Sequence, residues 1–345
     1  MRVATWEAIR TIQLNDVEEP TPGPEDVMVD IRACGICGSD VHAFTDGAWV
    51  TPGARLGHEY AGVVSEVGAE VRGVVRGDRV TVNPVASCGS CPRCRAGEGN
   101  LCAHLDGSVG GFGDKVLVRN AGVGHRLFLL PDHISFEEAA FLEPLSVAYR
   151  AVNRARPEVG EPAIVFGLGT IGQCVTQMLK ARGITDVIGV DTPPVRRAAA
   201  LAAGAAEVID PLADDVYESL AASRGRTSSS FHEAGAIGSV FECSGAISVL
   251  PTALRVARAG APLSMVALTA LPSQIDLDTV VQKELRLLGS FAYTEVDFRN
   301  AFALLAAGRL PVAPLISHRF ALADITAAFE VQNQTTSSIK VMIHP

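Results

Sequence analysis

The sequence predicts an α/β protein in two parts, a β-rich domain with many loops and a doubly wound domain built on a parallel sheet. Three observations carry that prediction. Before about residue 150 the chain shows short apolar runs punctuated by Gly and Pro, such as Val27-Met28-Val29-Asp30-Ile31 and Tyr60-Ala61-Gly62-Val63-Val64. After about residue 160 strand-like and helix-like segments alternate, the pattern of repeated βαβ units. The length of 345 residues, 48% of them hydrophobic, exceeds one ordinary core and suits two domains of roughly 100–200 residues each.

In chain order, residues 1–150 form the β-rich domain, residues 151–289 the doubly wound domain, and residues 290–345 return to the first. The second domain opens with Ala163-Ile164-Val165-Phe166 as a strand, then glycines, a helix through Lys180, and a strand at Val187-Ile188-Gly189-Val190-Asp191. Glu207-Val208-Ile209-Asp210, Ser239-Val240-Phe241-Glu242 and Pro262-Leu263-Ser264-Met265-Val266 continue the alternation, with Ala-rich helical segments between them. Six parallel strands account for it. The tail carries a helical pattern from Phe298 to Gly308 and a strand-like run at Ile339-Lys340-Val341-Met342-Ile343. Ser223 to Gly238, rich in Ser, Gly and Ala, reads as an exposed, mobile loop. No internal repeat is evident.

Composition narrows the function. A net charge of −9 and a pI near 5.4 argue against nucleic acid or an anionic membrane as partner and favour a small molecule. The N-terminus has no continuous apolar segment of signal-peptide type and no run reaches spanning length, so the expected location is cytoplasmic. In that compartment eight cysteines point to metal or redox chemistry rather than to disulfides.

Cys88-x2-Cys91-x2-Cys94-x7-Cys102 is the most specific spacing in the chain, and it marks a small lobe over residues 85–105. Four thiolates suit a closed, tetrahedral, structural zinc, the alternatives being an iron-sulfur site or reducible thiols. Cys174 and Cys243 fall on expected buried elements, where packing is their reading.

A second group looks open. Cys34-Gly35-Ile36-Cys37-Gly38-Ser39-Asp40-Val41-His42, followed by Gly57-His58-Glu59, supplies thiolate, imidazole and carboxylate with a hydroxyl and another imidazole nearby. These are the parts of a catalytic zinc site wired to move a proton.

Gly167-Leu168-Gly169-Thr170-Ile171-Gly172 matches G-x-G-x-x-G, and its context of strand before and helix after makes it a dinucleotide loop. The first two glycines permit the turn and the approach of pyrophosphate to the helix N-terminus, and the third permits helix–strand packing. Asp191, closing the second strand, can accept hydrogen bonds from a ribose 2′-hydroxyl and would repel a 2′-phosphate, which favours NAD over NADP. Arg196 and Arg197 stand close by in sequence; they read either as cations able to neutralise a phosphate or as a solvated helix face.

Together with Leu142-Glu143-Pro144-Leu145-Ser146-Val147, these motifs resemble the zinc-dependent medium-chain dehydrogenase/reductase family across essentially the whole chain, and its polyol and diol branch in particular. The resemblance implies a GroES-like catalytic domain joined to a Rossmann domain, with NAD and two zinc ions, one catalytic and one structural. Carried over by position, Cys37, His58, Glu59 and Glu143 match carriers of the catalytic zinc, one carboxylate ligating directly and the other acting through water. Ser39 matches the acceptor of the alcohol proton, His42 the group that passes it to solvent through the cofactor ribose, and Asp40 a residue that orients the site. Cys34 matches no functional position. His104, His125, His133, His232, His318 and His344 have no such context and are assigned no role.

Sorbitol-type members of the family place a tyrosine at the position of Ala43 and an arginine at that of Ala292. The run Lys283-Glu284-Leu285-Arg286-Leu287-Leu288-Gly289-Ser290-Phe291-Ala292-Tyr293-Thr294 looks more like the butanediol dehydrogenase pattern. The expected substrate is a secondary alcohol on a small vicinal diol or polyol, with Phe44 and Trp49 as apolar pocket walls or core. Threonine dehydrogenase activity, a noncatalytic dinucleotide-binding protein and a zinc-free reductase are the competing readings. The family also implies a homodimer or homotetramer.

Overall fold

In the computed structural model, which describes residues 1–228, 233–269, 272 and 274–345, the punctuated N-terminal runs become strands. Their order is β1 (Arg2–Ala8), β2 (Thr11–Asp16), β3 (Val27–Gly35), α1 (Gly38–Asp46), β4 (Ala54–Arg55), β5 (Glu59–Val67), β6 (Arg79–Val82), β7 (Val85–Ala86), α2 (Pro92–Arg95), β8 (Asp106–Gly107), β9 (Lys115–Val118), β10 (Leu127–Leu129), α3 (Phe136–Ala140) and α4 (Leu142–Ala155). β2-β1-β4 forms one small sheet, and β7 pairs β8 in another. β3 pairs β5 in antiparallel register with Cys34 opposite Tyr60 and Gly35 opposite Glu59. Val27, Val29, Ile31, Tyr60 and Val64 turn inward from these two strands onto Phe44, Phe112 and Phe329, and burial of such aliphatic and aromatic side chains stabilises by roughly 1.5–3 kcal/mol each.

The chain then enters a second unit, Val147–Ala292 with Arg309–Pro311. It contains β11 (Ala163–Phe166), α5 (Thr170–Ala181), β12 (Val187–Val190), α6 (Pro194–Ala202), β13 (Glu207–Ile209), α7 (Val216–Arg224), β14 (Arg226–Ser228), β15 (Glu233–Gly235), β16 (Ser239–Glu242), α8 (Val249–Val256), β17 (Pro262–Met265), α9 (Leu277–Gln282) and β18 (Arg286–Gly289). The six-stranded sheet runs β13-β12-β11-β16-β17-β18 with every pair parallel. This is the strand order of a Rossmann sheet, whose switch point lies between β11 and β16. β11, β12 and β16 are buried at every residue, which is why they read as continuous apolar runs rather than alternating ones. Lys283, itself buried, donates to the carbonyls of Leu254, Arg255 and Ala257 at 2.7, 3.0 and 3.1 Å and so satisfies the C-terminal end of α8.

One sequence expectation is corrected here. Ser223–Gly238 is not simply an exposed loop: it holds the β14–β15 ribbon, and Ala234 and Ile237 are buried. Backbone pairing and two small apolar anchors order a segment whose Ser-rich composition carries little periodicity. Its centre, residues 229–232 with His232, lies outside the described residues.

The tail adds α10 (Glu295–Ala306), β19 (Ile316–Ala321), α11 (Ile325–Asn333) and β20 (Lys340–His344). β20 pairs antiparallel with β3, Met342 opposite Gly35 and Ile343 opposite Cys34, so β10-β6-β5-β3-β20-β19 with β9 on β3 make one sheet. The unit these elements share comprises Met1–Ser146, Tyr293–Gly308 and Val312–Pro345. Among the described residues no helix is long and apolar enough to cross a membrane.

Candidate functional site

The β3–β5 register builds the site. Because Gly35 faces Glu59, Cys37, two residues beyond the end of β3, meets His58 and Glu59 at the start of β5. One ligand atom from each of the three lies within 4.8 Å of the others. Cys37 is also the N-cap of α1, and its N–H donates to Asp40 Oδ2 at 3.0 Å. The other oxygen of Asp40 accepts from the Gly57 N–H at 3.5 Å and lies 3.7 Å from His58 Nδ1. One buried carboxylate therefore caps the helix and braces the imidazole. Gly57 has φ of +87°, and a Cβ there would stand 2.7 Å from the Phe112 nitrogen and 3.0 Å from Cys34 Sγ. Only glycine fits, and Cys34 is packing, fully buried, its thiol pushed well up by burial.

Glu59 is held from the opposite side by a residue that the sequence reading missed. Lys340 Nζ lies 2.5 Å from Glu59 Oε2 and donates to the Ile36 carbonyl at 3.0 Å. Both side chains are 1% exposed. The available signal was a lysine inside Ile339–Ile343, a run read as a strand. Gly35 is small for the same reason, since a Cβ there would strike the Glu59 carboxylate.

Glu143, in the first turn of α4, is buried and stands outside the close triad, near enough that its charge acts on His58 and Glu59. Burial raises its carboxyl to about 7. Tyr293 is its neighbour, and burial together with Glu143 keeps that phenol protonated well above the usual range. Burial alone would lower His58, yet Asp40, Cys37 and Glu143 outweigh it and raise the imidazole well above its ordinary value. A sulfur, an imidazole nitrogen and a carboxylate oxygen within 4.8 Å of one another, with the buried Glu143 carboxyl nearby, form a donor set that fits a zinc ion held by three residues with room for a fourth ligand.

Ser39 and His42 lie on α1 three residues apart, hence on one face. Ser39 is half-buried; the His42 side chain is 39% exposed with Nδ1 3.2 Å from Asp46, and its ring meets Trp49 edge-on at 6.1 Å. Of the two aromatic candidates for a pocket wall, Phe44 is core, packed on Phe329 at 5.2 Å, whereas Trp49 is 70% exposed.

In the cysteine lobe the sulfur separations are 3.9 Å for Cys88–Cys94, 3.5 Å for Cys91–Cys94 and 3.8 Å for Cys91–Cys102. Four thiolates about 2.3 Å from one tetrahedral ion would stand about 3.8 Å apart, so the lobe fits zinc. The Cys88 and His104 N–H groups donate to Cys102 Sγ at 3.3 and 3.2 Å. Backbone N–H groups of Ser90 and Cys91 hold Cys88 down at about 5, while burial and the adjacent sulfurs push Cys94 up to about 11. A Cys91→Ser protein is expected to bind one zinc per chain instead of two and to be cut faster by protease within residues 85–105. Metal analysis and timed proteolysis check both.

The dinucleotide loop divides its labour among three glycines. Gly167 has φ of +82°, and a Cβ would stand 2.6 Å from the Ser244 backbone; a Cβ on Gly172 would strike the Gly167 carbonyl; Gly169, the N-cap of α5, is open apart from Arg196 Nη1 at 3.6 Å. Thr170 and Ile171 follow as the first residues of α5. Asp191 Oδ2 accepts from the Leu168 N–H at 2.7 Å and Oδ1 from the Thr192 N–H at 2.8 Å, and a carboxylate has further lone pairs with which to accept from a ribose hydroxyl. Arg196 lies 3.8 Å from Asp191. Arg197 donates to the Asp191 carbonyl at 2.8 Å and pairs with Asp210 at 3.0 Å, so it holds the strand ends rather than lying on a solvated face.

Four of the unassigned histidines have local partners: His125 pairs with Glu295 at 2.5 Å, His133 with the Ala306 carbonyl at 3.0 Å, His318 with Ser317 at 3.0 Å and His344 with Glu137 at 3.0 Å.

With this geometry in place, residues 23–131 match the alcohol dehydrogenase GroES-like domain and residues 170–307 match the zinc-binding dehydrogenase domain. L-idonate 5-dehydrogenase from Vitis vinifera is 33% identical over 99% of this chain and 94% of its own. (R,R)-butanediol dehydrogenase from Bacillus subtilis (strain 168) is 31% identical over 100% of both chains. Among solved structures, a zinc-binding dehydrogenase from Sinorhizobium meliloti 1021 bound to NADP superposes with a TM-score of 0.90 at 32% identity, covering 100% of this chain and 99% of its own.

Proposed function

Because the chain belongs to the zinc-binding dehydrogenases, in their zinc-type polyol and diol branch, we propose that it oxidises a secondary alcohol on a small vicinal diol or polyol to the ketone with NAD. The observation that carries this reading is the open triad of Cys37, His58 and Glu59 with Ser39 and His42 on the helix that Cys37 caps. Zinc supplies Lewis acidity to the alcohol, and the nicotinamide nucleotide supplies the hydride acceptor. Cys37, His58 and Glu59 hold the metal, with Glu143 as the nearby second carboxylate. Asp40, 3.7 Å from His58 Nδ1, helps to orient that imidazole through its charge. Ser39 Oγ takes the alcohol proton, and the exposed His42, steadied by Asp46, releases it to water. Cys88, Cys91, Cys94 and Cys102 hold the structural zinc.

Gly167, Gly169, Thr170, Ile171 and Gly172 take the pyrophosphate, and Asp191 takes the adenosine ribose of NAD, with Arg196 beside it. Asp191→Asn should lower kcat/KM for NAD by roughly ten- to a hundredfold, the worth of hydrogen bonds to a charged acceptor, and should also lower the melting temperature, because an amide nitrogen cannot accept from the Leu168 or Thr192 N–H. Equal use of NAD and NADP by the wild-type protein would count against this assignment.

Ala43 is buried and Ala292 has φ of +47°; neither offers the phenol or guanidinium that a long polyol would need. An unpaired buried hydroxyl costs roughly 1–3 kcal/mol. The enzyme is therefore expected to oxidise 2,3-butanediol with kcat/KM roughly five- to a hundredfold above that for sorbitol, read from NADH absorbance. The reverse ranking sinks the diol preference.

β18 is an edge strand of the sheet, and Leu277 and Val281 on neighbouring α9 are 65% and 72% exposed. An apolar flank beside a strand edge that no described strand pairs favours a homodimer or homotetramer through that edge. Sedimentation as a monomer at working concentration is the contrary result.

A further inference from the structure

The reaction leaves two arginines unused. Arg55 and Arg119 are exposed, and neither guanidinium forms a hydrogen bond or ion pair with any described residue. Both line one groove of about 420 Å³, together with Lys115 and the turn Gly107–Gly110. Lys115 is already engaged, 2.5 Å from Glu19 and 3.8 Å from Asp30, so the uncompensated charge in the groove is that of the two guanidiniums.

A third guanidinium stands behind the wall. Arg126 is fully buried, its Nη2 donates at 2.5 Å to Ser108 Oγ in the groove-lining turn, and its Nη1 donates at 3.2 Å to the Asp106 carbonyl. Its Nε has no partner, and the paired carboxylate, Asp106, is 4.0 Å away. A buried cation so weakly countered is costly. In a chain of net charge −9 this clustering runs against the average. Gly110, with φ of +112°, carries no side chain into the space, and a Cβ there would touch the Arg55 stem at 3.6 Å.

We propose that this groove is a second ligand site that binds a small, multiply charged oxyanion through Arg55 and Arg119. Guanidinium forks match the paired oxygens of carboxylate and phosphate. Two guanidiniums lining one groove match a molecule that carries two such groups, and a pocket of this volume holds a compact metabolite rather than a polymer. The shared chemistry is that of a bisphosphate or a polycarboxylate. None of Cys37, His58, Glu59, Glu143 or the dinucleotide-loop residues lines the groove, so it is separate from the site of oxidation.

The test is calorimetric titration of the zinc-loaded protein, saturated with NADH to fill the pyrophosphate site, with 2,3-bisphosphoglycerate and separately with tricarballylate. Neither probe has an alcohol or ketone to react. At least one should bind saturably with one site per chain, and its affinity should fall tenfold or more in Arg55→Gln/Arg119→Gln while NADH affinity and turnover hold. The better of the two identifies the oxyanion. No saturable heat from either probe, or equal affinity in the double variant, overturns the site.

Discussion

A Cys37→Ser protein is expected to keep its fold, lose one of its two zinc ions, and fall by at least about a thousandfold in kcat/KM. The magnitude follows from the several kcal/mol of charge stabilisation that a Lewis acid supplies, at 1.36 kcal/mol per tenfold. The retained zinc should be the one in the cysteine lobe, whose four sulfurs do not depend on Cys37. Cys37 also caps α1, and serine is itself a good N-cap, so helix loss is not the expected route to inactivity. His58→Ala should give the same two readouts from the other strand. A fully active Cys37→Ser protein with two zinc ions would falsify the metal assignment outright.

Lys340→Met should be the most destabilising change near the site. It strips a buried carboxylate of the cation 2.5 Å away, and breaking a buried pair from one side costs about 3–5 kcal/mol. Calorimetry should show a melting temperature lower by roughly 6–20 °C, given about 2–4 °C per kcal/mol for a domain of this class. Lys340→Arg should recover part of the loss. The decisive comparison is a cycle with Glu59→Gln: if Lys340 acts through Glu59, Lys340→Met costs much less in that background. Additive losses would mean that the bond to the Ile36 carbonyl, not the ion pair, is what the lysine provides. Lys340 is thus a positioning residue, and zinc content and KM of Lys340→Met against Lys340→Arg separate positioning from simple destabilisation.

Most of the candidate site was legible because its residues sit in local patterns. Cys37, Ser39 and His42 fall within one short segment; Gly57, His58 and Glu59 within another; the four lobe cysteines share a spacing that chance rarely produces. Apolar strands with glycines between strand and helix announced the parallel sheet, because a strand buried on both faces must be apolar throughout. Lys340 was not legible as a partner, since a lysine in the tail and a glutamate near residue 60 meet only through β20 pairing β3 and β3 pairing β5. The β14–β15 ribbon was missed for a related reason: its pairing is satisfied by backbone, which Ser-rich sequence does not signal.

The order of residues alone sets the chemistry available: which thiols, imidazoles and carboxylates exist, in which order, on which kinds of element. Local spacing carries that much because helix and strand geometry convert it directly into shared faces and shared turns. The tertiary structure decided which of those groups meet. It placed Glu59 rather than Glu143 in the close triad, bound Glu59 to Lys340, made Phe44 core while leaving Trp49 in solvent, and gathered Arg55 and Arg119 into one groove. Each of these depends on strand register and burial, and both are set by contacts between segments far apart in the chain.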